Sequence, residues 1–179
     1  KMGRMRLKAA RFLRGATVTA VADSSKRALE AARRQGVPHV YEDYHDLLAS
    51  PAVDAVIITV PNAMHEEAIT AAALAGKHIF VEKPLARSSD ECLRIADAVD
   101  RAEVAAMVGH NYRYFPPVKR LKRDLDSGAL GDIVLSTLEI VDGPLAPALE
   151  SRPIPDWYMD PGDRGPWLLD LGYHVIDLF

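Results

Sequence analysis

With 179 residues, 49% apolar and 26% charged, the chain has the makeup of an ordinary globular protein with material for one respectable core. A net charge of −3 supplies no field to hold nucleic acid or an anionic membrane, and no apolar run approaches a membrane span. The single Cys92 excludes an internal disulfide and any multi-cysteine metal centre, and favours a reducing, cytoplasmic setting.

Met2, Met5, Ala9 and Phe12 recur at helical spacing, so the chain opens in an amphipathic helix ending near Gly15. Arg11 and Arg14 interrupt the only stretch that could imitate a secretory leader. Val18–Ala22 is a short apolar strand closed by Asp23. Ser24 or Ser25 caps a second helix, which Gly36 stops. Val37–Tyr41 reads as a brief strand, and Asp43 caps a short helix through Leu48. Val53–Val60 is almost wholly apolar, as a parallel strand covered on both faces would be. A helix over 63–75, stopped by Gly76, precedes the buried strand His78–Val81. Ser88 and Glu91 form a capping box for a helix over 89–101, where Cys92 reads as buried core beside Leu93, Ile95 and Ala96. Val104–Val108 is one more apolar strand.

Short apolar strands alternating with helices predict a doubly wound parallel α/β sheet of the Rossmann type. After Pro116-Pro117 the texture changes. A basic helix over 117–126 leads through Gly128 and Gly131 to Ile133–Val141, whose partial alternation predicts an antiparallel strand with one wet face. Residues 143–166 are rich in Pro and Gly, hence loop, and 167–179 return to helical periodicity. The division expected is a dinucleotide-binding domain over 1–115, then the start of a second α+β domain with an open-faced sheet over 116–179.

Lys1-Met2-Gly3-Arg4-Met5 reads as the tail of G-x-G-x-x-G, with Gly3 as its third glycine. Asp23 follows about 20 residues on, where that fold places its ribose-binding carboxylate. The strand expected ahead of Lys1 would lie between those at 18–22 and 53–60, so these two are expected not to pair with each other. The second domain is likewise expected to continue beyond Phe179.

Ile58-Thr59-Val60-Pro61-Asn62-Ala63-Met64-His65, Ala75-Gly76-Lys77-His78 and Glu82-Lys83-Pro84-Leu85-Ala86 resemble motifs of the Gfo/Idh/MocA oxidoreductases. Gly165-Pro166-Trp167-Leu168-Leu169-Asp170-Leu171-Gly172-Tyr173-His174 resembles that family's second signature, although Gly165-Pro166-Trp167 replaces its usual run of glycines. The resemblance implies a nicotinamide cofactor, NAD with NADP as the alternative, and a sugar or polyol substrate. It also implies a homo-oligomer, dimer or tetramer. Cofactor contacts fall on Lys1, Met2, Gly3, Asp23, Thr59, Pro61, Asn62, His65, Glu82, Lys83 and Asn111.

Residue chemistry sharpens this reading. Thr59–Asn62 and Glu82–Pro84 follow the carboxyl ends of predicted parallel strands, where open α/β sheets bind ligands. His65, taken alone, reads as a helix-surface residue. Asp170 and His174 stand at i and i+4, which is also ordinary helix-surface pairing. With Lys83 they form the expected catalytic set: His174 as acid/base, Asp170 orienting it, Lys83 stabilising alkoxide character. Asp177, one turn on, reads as support. Trp157-Tyr158 either line the cleft or anchor the loop. No metal-ligand spacing is present. Two alternatives remain open: redox-assisted glycoside cleavage with the same motifs, and a non-catalytic dinucleotide-binding protein.

Overall fold

Helix α1 (Met2–Ala10) leads into β1 (Ala20–Ala22), α2 (Lys26–Arg34), β2 (His39–Tyr41) and α3 (Tyr44–Ala49). Next come β3 (Ala55–Ile58), a 3-10 turn (Asn62–Met64) with α4 (His65–Leu74), β4 (His78–Val81), α5 (Ser89–Ala102) and β5 (Ala106–Val108). A second 3-10 turn (Asn111–Tyr114), α6 (Pro116–Asp126) and α7 (Tyr173–Leu178) are the remaining elements among the described residues. The structure is a computed structural model that describes residues 2–139 and 172–178.

The strands are parallel throughout, in two sheets: β1 beside β2, and β3-β4-β5. β1 and β3 belong to different sheets and do not pair, as expected. The register sets Ala20 against His39, Ala55 against His78 and Ile79 against Ala106. All but β4 are shorter than the apolar runs read from sequence, because a ladder extends only where a neighbour supplies hydrogen-bond partners.

Helix α4 shows why the core sits where it does. His65, Ala68, Ile69, Ala72 and Ala73 are its buried residues, spaced i, i+3, i+4, i+7 and i+8, one continuous stripe of a helix. Of these, Ala68, Ile69, Ala72 and Ala73 join Ile58 of β3, Ile79 and Val81 of β4, and Ile95 of α5 in a single cluster. Ile69 is 1% exposed, and burying such a side chain stabilises by about 1.5–3 kcal/mol.

The helix ends follow local chemistry. Ser25, not Ser24, caps α2 by accepting the Ala28 amide, and Ser88 caps α5 by accepting from Glu91. Gly36 and Gly76 stop α2 and α4 with φ of 79° and 69°. The amides that follow them, Val37 and Lys77, reach back to the Ala32 and Ala72 carbonyls, closing turns that require a left-handed residue. Glu103 takes the same conformation after α5 at φ 54°, without glycine to ease it.

Three expectations are corrected. Helix α1 stops at Ala10 rather than near Gly15, because the Phe12 and Leu13 amides turn back onto the Ala9 and Ala10 carbonyls. Residues 133–139 form no strand, since no other strand exists among the described residues of that region to pair with. Cys92 is half-buried rather than core, and burial with the nearby Glu91 carboxylate pushes its thiol up, which keeps it protonated and inert. The loop over 143–166, Trp157, Tyr158 and the first part of the final helical segment, 167–171, lie outside the described residues. The chain divides into two units, Lys1–Val108 and Gly109–Phe179, a break ahead of the 115/116 boundary read from sequence.

Candidate cofactor and active site

In the first unit, the candidate residues sit just beyond the carboxyl ends of three strands. Asp23 follows β1. Its amide donates to the Tyr41 carbonyl at 3.2 Å, and its carboxylate accepts the Ser25 amide at 2.8 Å. The side chain is thereby oriented while the residue stays exposed.

Thr59, Pro61 and Asn62 follow β3. Pro61 begins the 3-10 turn, and its carbonyl accepts the Met64 amide at 2.9 Å. Gly3 approaches closely here: a Cβ added to it would lie 3.1 Å from Thr59 Oγ1. A side chain here would need the Thr59 hydroxyl to give way by a few tenths of an ångström, a crowding that glycine avoids. Lys1 lies outside the described residues, and Met2 is exposed in the first turn of α1.

Glu82, Lys83 and Pro84 follow β4, with the Lys83–Pro84 peptide bond cis. The Glu82 amide donates to Ile58 O at 3.0 Å. Its carboxylate, on a residue only 7% exposed, pairs with the Arg6 guanidinium of α1, which also lies 5.2 Å from the Phe80 ring centroid. Sequence reasoning missed Arg6, because an arginine on a helix carries no mark of its partner 76 positions away. Lys83 itself is half-exposed.

His65 is the clearest correction. Instead of lying on the helix surface, it is 1% exposed. Its Nδ1 lies 2.8 Å from Pro84 O and 3.3 Å from Leu85 O, and its Nε2 lies 3.1 Å from Val60 O. The ring therefore bridges the backbone after β3 to the corner after β4. Buried polar groups persist where they find partners, and here the partners are loop carbonyls. The signal was available, since His65 continues the buried stripe of α4.

In the second unit, Asn111 is exposed, while Tyr112 stacks on the His174 ring with centroids 4.2 Å apart and planes 12° apart. His174, on α7, is 5% exposed. Arg113 grips Asp177 through Nε to Oδ2 at 2.8 Å and Nη2 to Oδ1 at 2.5 Å. His110 Nδ1 lies 3.3 Å from Asp177 Oδ1. The Arg113 hydrogen bonds hold Asp177 below the usual carboxylate range, against the opposing effect of burial. Asp170 lies outside the described residues.

The exposed carboxylate after β1, the close approach of Gly3 at the β3 end and the lysine after β4 fit a dinucleotide. Asp23 would hold a ribose, the α1 start and Thr59–Asn62 the phosphates and second ribose, and Lys83 the reacting end. Among the described residues, no group of three His, Cys, Asp or Glu could hold a metal, and no helix is long and apolar enough to cross a membrane.

Comparison with known proteins adds an independent line. Residues 1–110 match the oxidoreductase family with an NAD-binding Rossmann fold. The chain is 35% identical to levoglucosan dehydrogenase of Pseudarthrobacter phenanthrenivorans over 162 residues, 84% of this chain and 38% of that protein. It is 39% identical to scyllo-inositol 2-dehydrogenase (NAD(+)) of Bacillus subtilis over 118 residues, 65% of this chain and 34% of that protein. It is 32% identical to D-xylose 1-dehydrogenase [NADP(+)] of Haloarcula marismortui over 166 residues, 90% of this chain and 45% of that protein. A solved levoglucosan dehydrogenase, in complex with NADH and levoglucosan, superposes with a TM-score of 0.62 at 35% identity, covering 70% of this chain and 35% of that one. The chain thus spans between a third and a half of the length of these relatives.

Proposed function

Because this chain belongs to the Gfo/Idh/MocA oxidoreductase family, whose NAD-binding Rossmann fold it carries, we propose that it serves an enzyme moving hydride between a sugar or polyol carbinol carbon and a nicotinamide cofactor. The observation that carries this reading is the placement of Asp23, Thr59–Asn62 and Glu82–Pro84 directly after β1, β3 and β4, where parallel sheets receive ligands. The bound dinucleotide supplies the redox chemistry.

What remains for the protein is orientation and proton movement. Lys83 presents a positive charge that favours alkoxide character on the substrate oxygen. His174 takes the hydroxyl proton during oxidation and returns it during reduction. Asp170, one turn before His174 in sequence, orients that ring. NAD is the preferred cofactor, because Asp23 can accept both ribose hydroxyls but repels a 2′-phosphate. Lys26 and Arg27 are the residues that would favour NADP instead. We place the protein in the cytoplasm as a homo-oligomer, dimer or tetramer, with no nucleic-acid or membrane partner.

The test is a panel of sugars and polyols offered to the whole protein with NAD or NADP. Reduced cofactor should accumulate in step with substrate, and His174→Asn should lower turnover by about two to four orders of magnitude with cofactor binding retained. Glycoside cleavage without accumulated reduced cofactor would move the protein to the redox-assisted hydrolases. Cofactor binding with no turnover on any substrate would make it a binding protein.

A further inference from the structure

The second unit contains an aromatic arrangement that the proposed chemistry does not yet use. Tyr112 lies face to face with His174 at 4.2 Å and 12°, and Phe115 stacks on Tyr112 at 5.0 Å and 29°. Flanking contacts hold this geometry on both sides. Arg113, next to Tyr112 in sequence, is fastened to Asp177, nearly one turn beyond His174, by two hydrogen bonds between their side chains. Tyr173, next to His174, receives the edge of the His110 ring at 5.9 Å and 86°. Sliding the Tyr112 ring off the imidazole therefore means breaking an ion pair and an aromatic contact. A ring stacked merely by chance would lack this bracing.

An aromatic face carries the negative side of a quadrupole and attracts a cation more strongly than a neutral ring. During oxidation the substrate O–H bond breaks and an N–H bond forms on His174, as the hydride leaves the carbinol carbon for the oxidised nicotinamide. The imidazolium so formed lies against the Tyr112 face. Tyr173 and Asp177 lie beside it, and His110 and Arg113 in turn contact these two. Asp177, whose carboxyl is lowered in part by His174, also favours the protonated ring, and it is unchanged in every variant below. Resting on the reading of His174 as proton carrier, we propose that Tyr112 is its positioning residue, holding the imidazole plane and favouring its protonated form.

The experiment follows the His174 ring by NMR across a pH titration of the whole protein, beside the pH profile of kcat/KM. Cation–π contacts are worth about 0.5–1 kcal/mol when exposed and more when desolvated. At 1.36 kcal/mol per unit, Tyr112→Leu should therefore lower the titration midpoint by about half a pH unit. The acid limb of the oxidation profile should move down equally. Tyr112→Phe should keep both within about two tenths of a unit, because the face remains. A pentafluorinated phenylalanine at position 112 keeps the shape but reverses the quadrupole, so it should follow Leu or exceed it; this holds the test open even if Leu fails to fold. A parent-like midpoint with the fluorinated ring, or Phe behaving like Leu, overturns the proposal. A midpoint that shifts while the rate profile stays put supports the role of Tyr112 and overturns instead the assignment of His174 as proton carrier.

Discussion

One oxygen of the Asp23 carboxylate accepts the Ser25 amide at 2.8 Å, so the group is oriented before any ligand arrives, while the residue stays exposed. A pre-set negative charge at this strand end discriminates strongly between a ribose hydroxyl and a phosphate. Asp23→Ser should reduce the preference for NAD over NADP by about tenfold or more in kcat/KM, roughly 1.4 kcal/mol. A parent enzyme that already prefers NADP would assign the ribose site to Lys26 and Arg27. The place of Asp23, directly after β1, was legible because the apolar run 18–22 closes on an acid. His65 was legible only by half. Its spacing put it on the buried stripe, but imidazole on a helix usually faces water, and nothing in sequence reveals which carbonyls two distant loops will present. Glu82 was found by its motif, whereas Arg6, which pairs with its carboxylate, has no local signature.

Among the elements, caps and stops were the most readable, because Ser88, Gly36 and Gly76 act through their own backbone neighbourhoods. Strand pairing was less so. Residues 133–139 carry partial alternation but form no strand, since alternation states only a preference for a partner. Helix α7 has six residues, too few to be stable alone, so its attachment to the 3-10 turn matters. Asp177 provides it. Its carboxyl titrates below the usual range in the folded state. It therefore contributes stability above the unfolded value near 3.9, lost as pH falls through the lower folded value. Asp177→Asn should lower stability by about 1 kcal/mol near neutral pH, a figure moderated by the exposure of Arg113. Denaturant midpoints of parent and variant should converge as pH falls below the unfolded value and through the lower folded one. A gap that persists unchanged in acid would show that the ion pair is not its origin.

For the molecule as a whole, the proposed reading divides the chemistry, with Lys83 in the first unit and His174 in the second. Motif order along the chain pointed to both, while the contacts around His174 emerged only from packing. In the first unit, the His65 bridge has a consequence for slow motion. Amide exchange requires local opening, and groups that open together exchange with one free energy. The Met64 amide bonds Pro61 O beside one end of the bridge, and the Glu82 amide bonds Ile58 O beside the other. The buried imidazole is packed between the Val60 and Pro84 carbonyls and donates its N–H to one of them, so opening either segment uncovers the ring on which the other rests. Their two amides should share a common protection factor in the parent. In His65→Leu both should exchange faster and at different rates, by about tenfold or more, as unpaired carbonyls raise the cost of staying closed. The Ile79 amide, held by Ala105 O at 2.8 Å, should keep its protection and mark the intact sheet. Unequal protection already in the parent would mean that the two segments open separately. If they open together, a single buried ring makes the two strand-end corners one cooperative unit, which on the proposed reading would admit or exclude a dinucleotide in a single opening event.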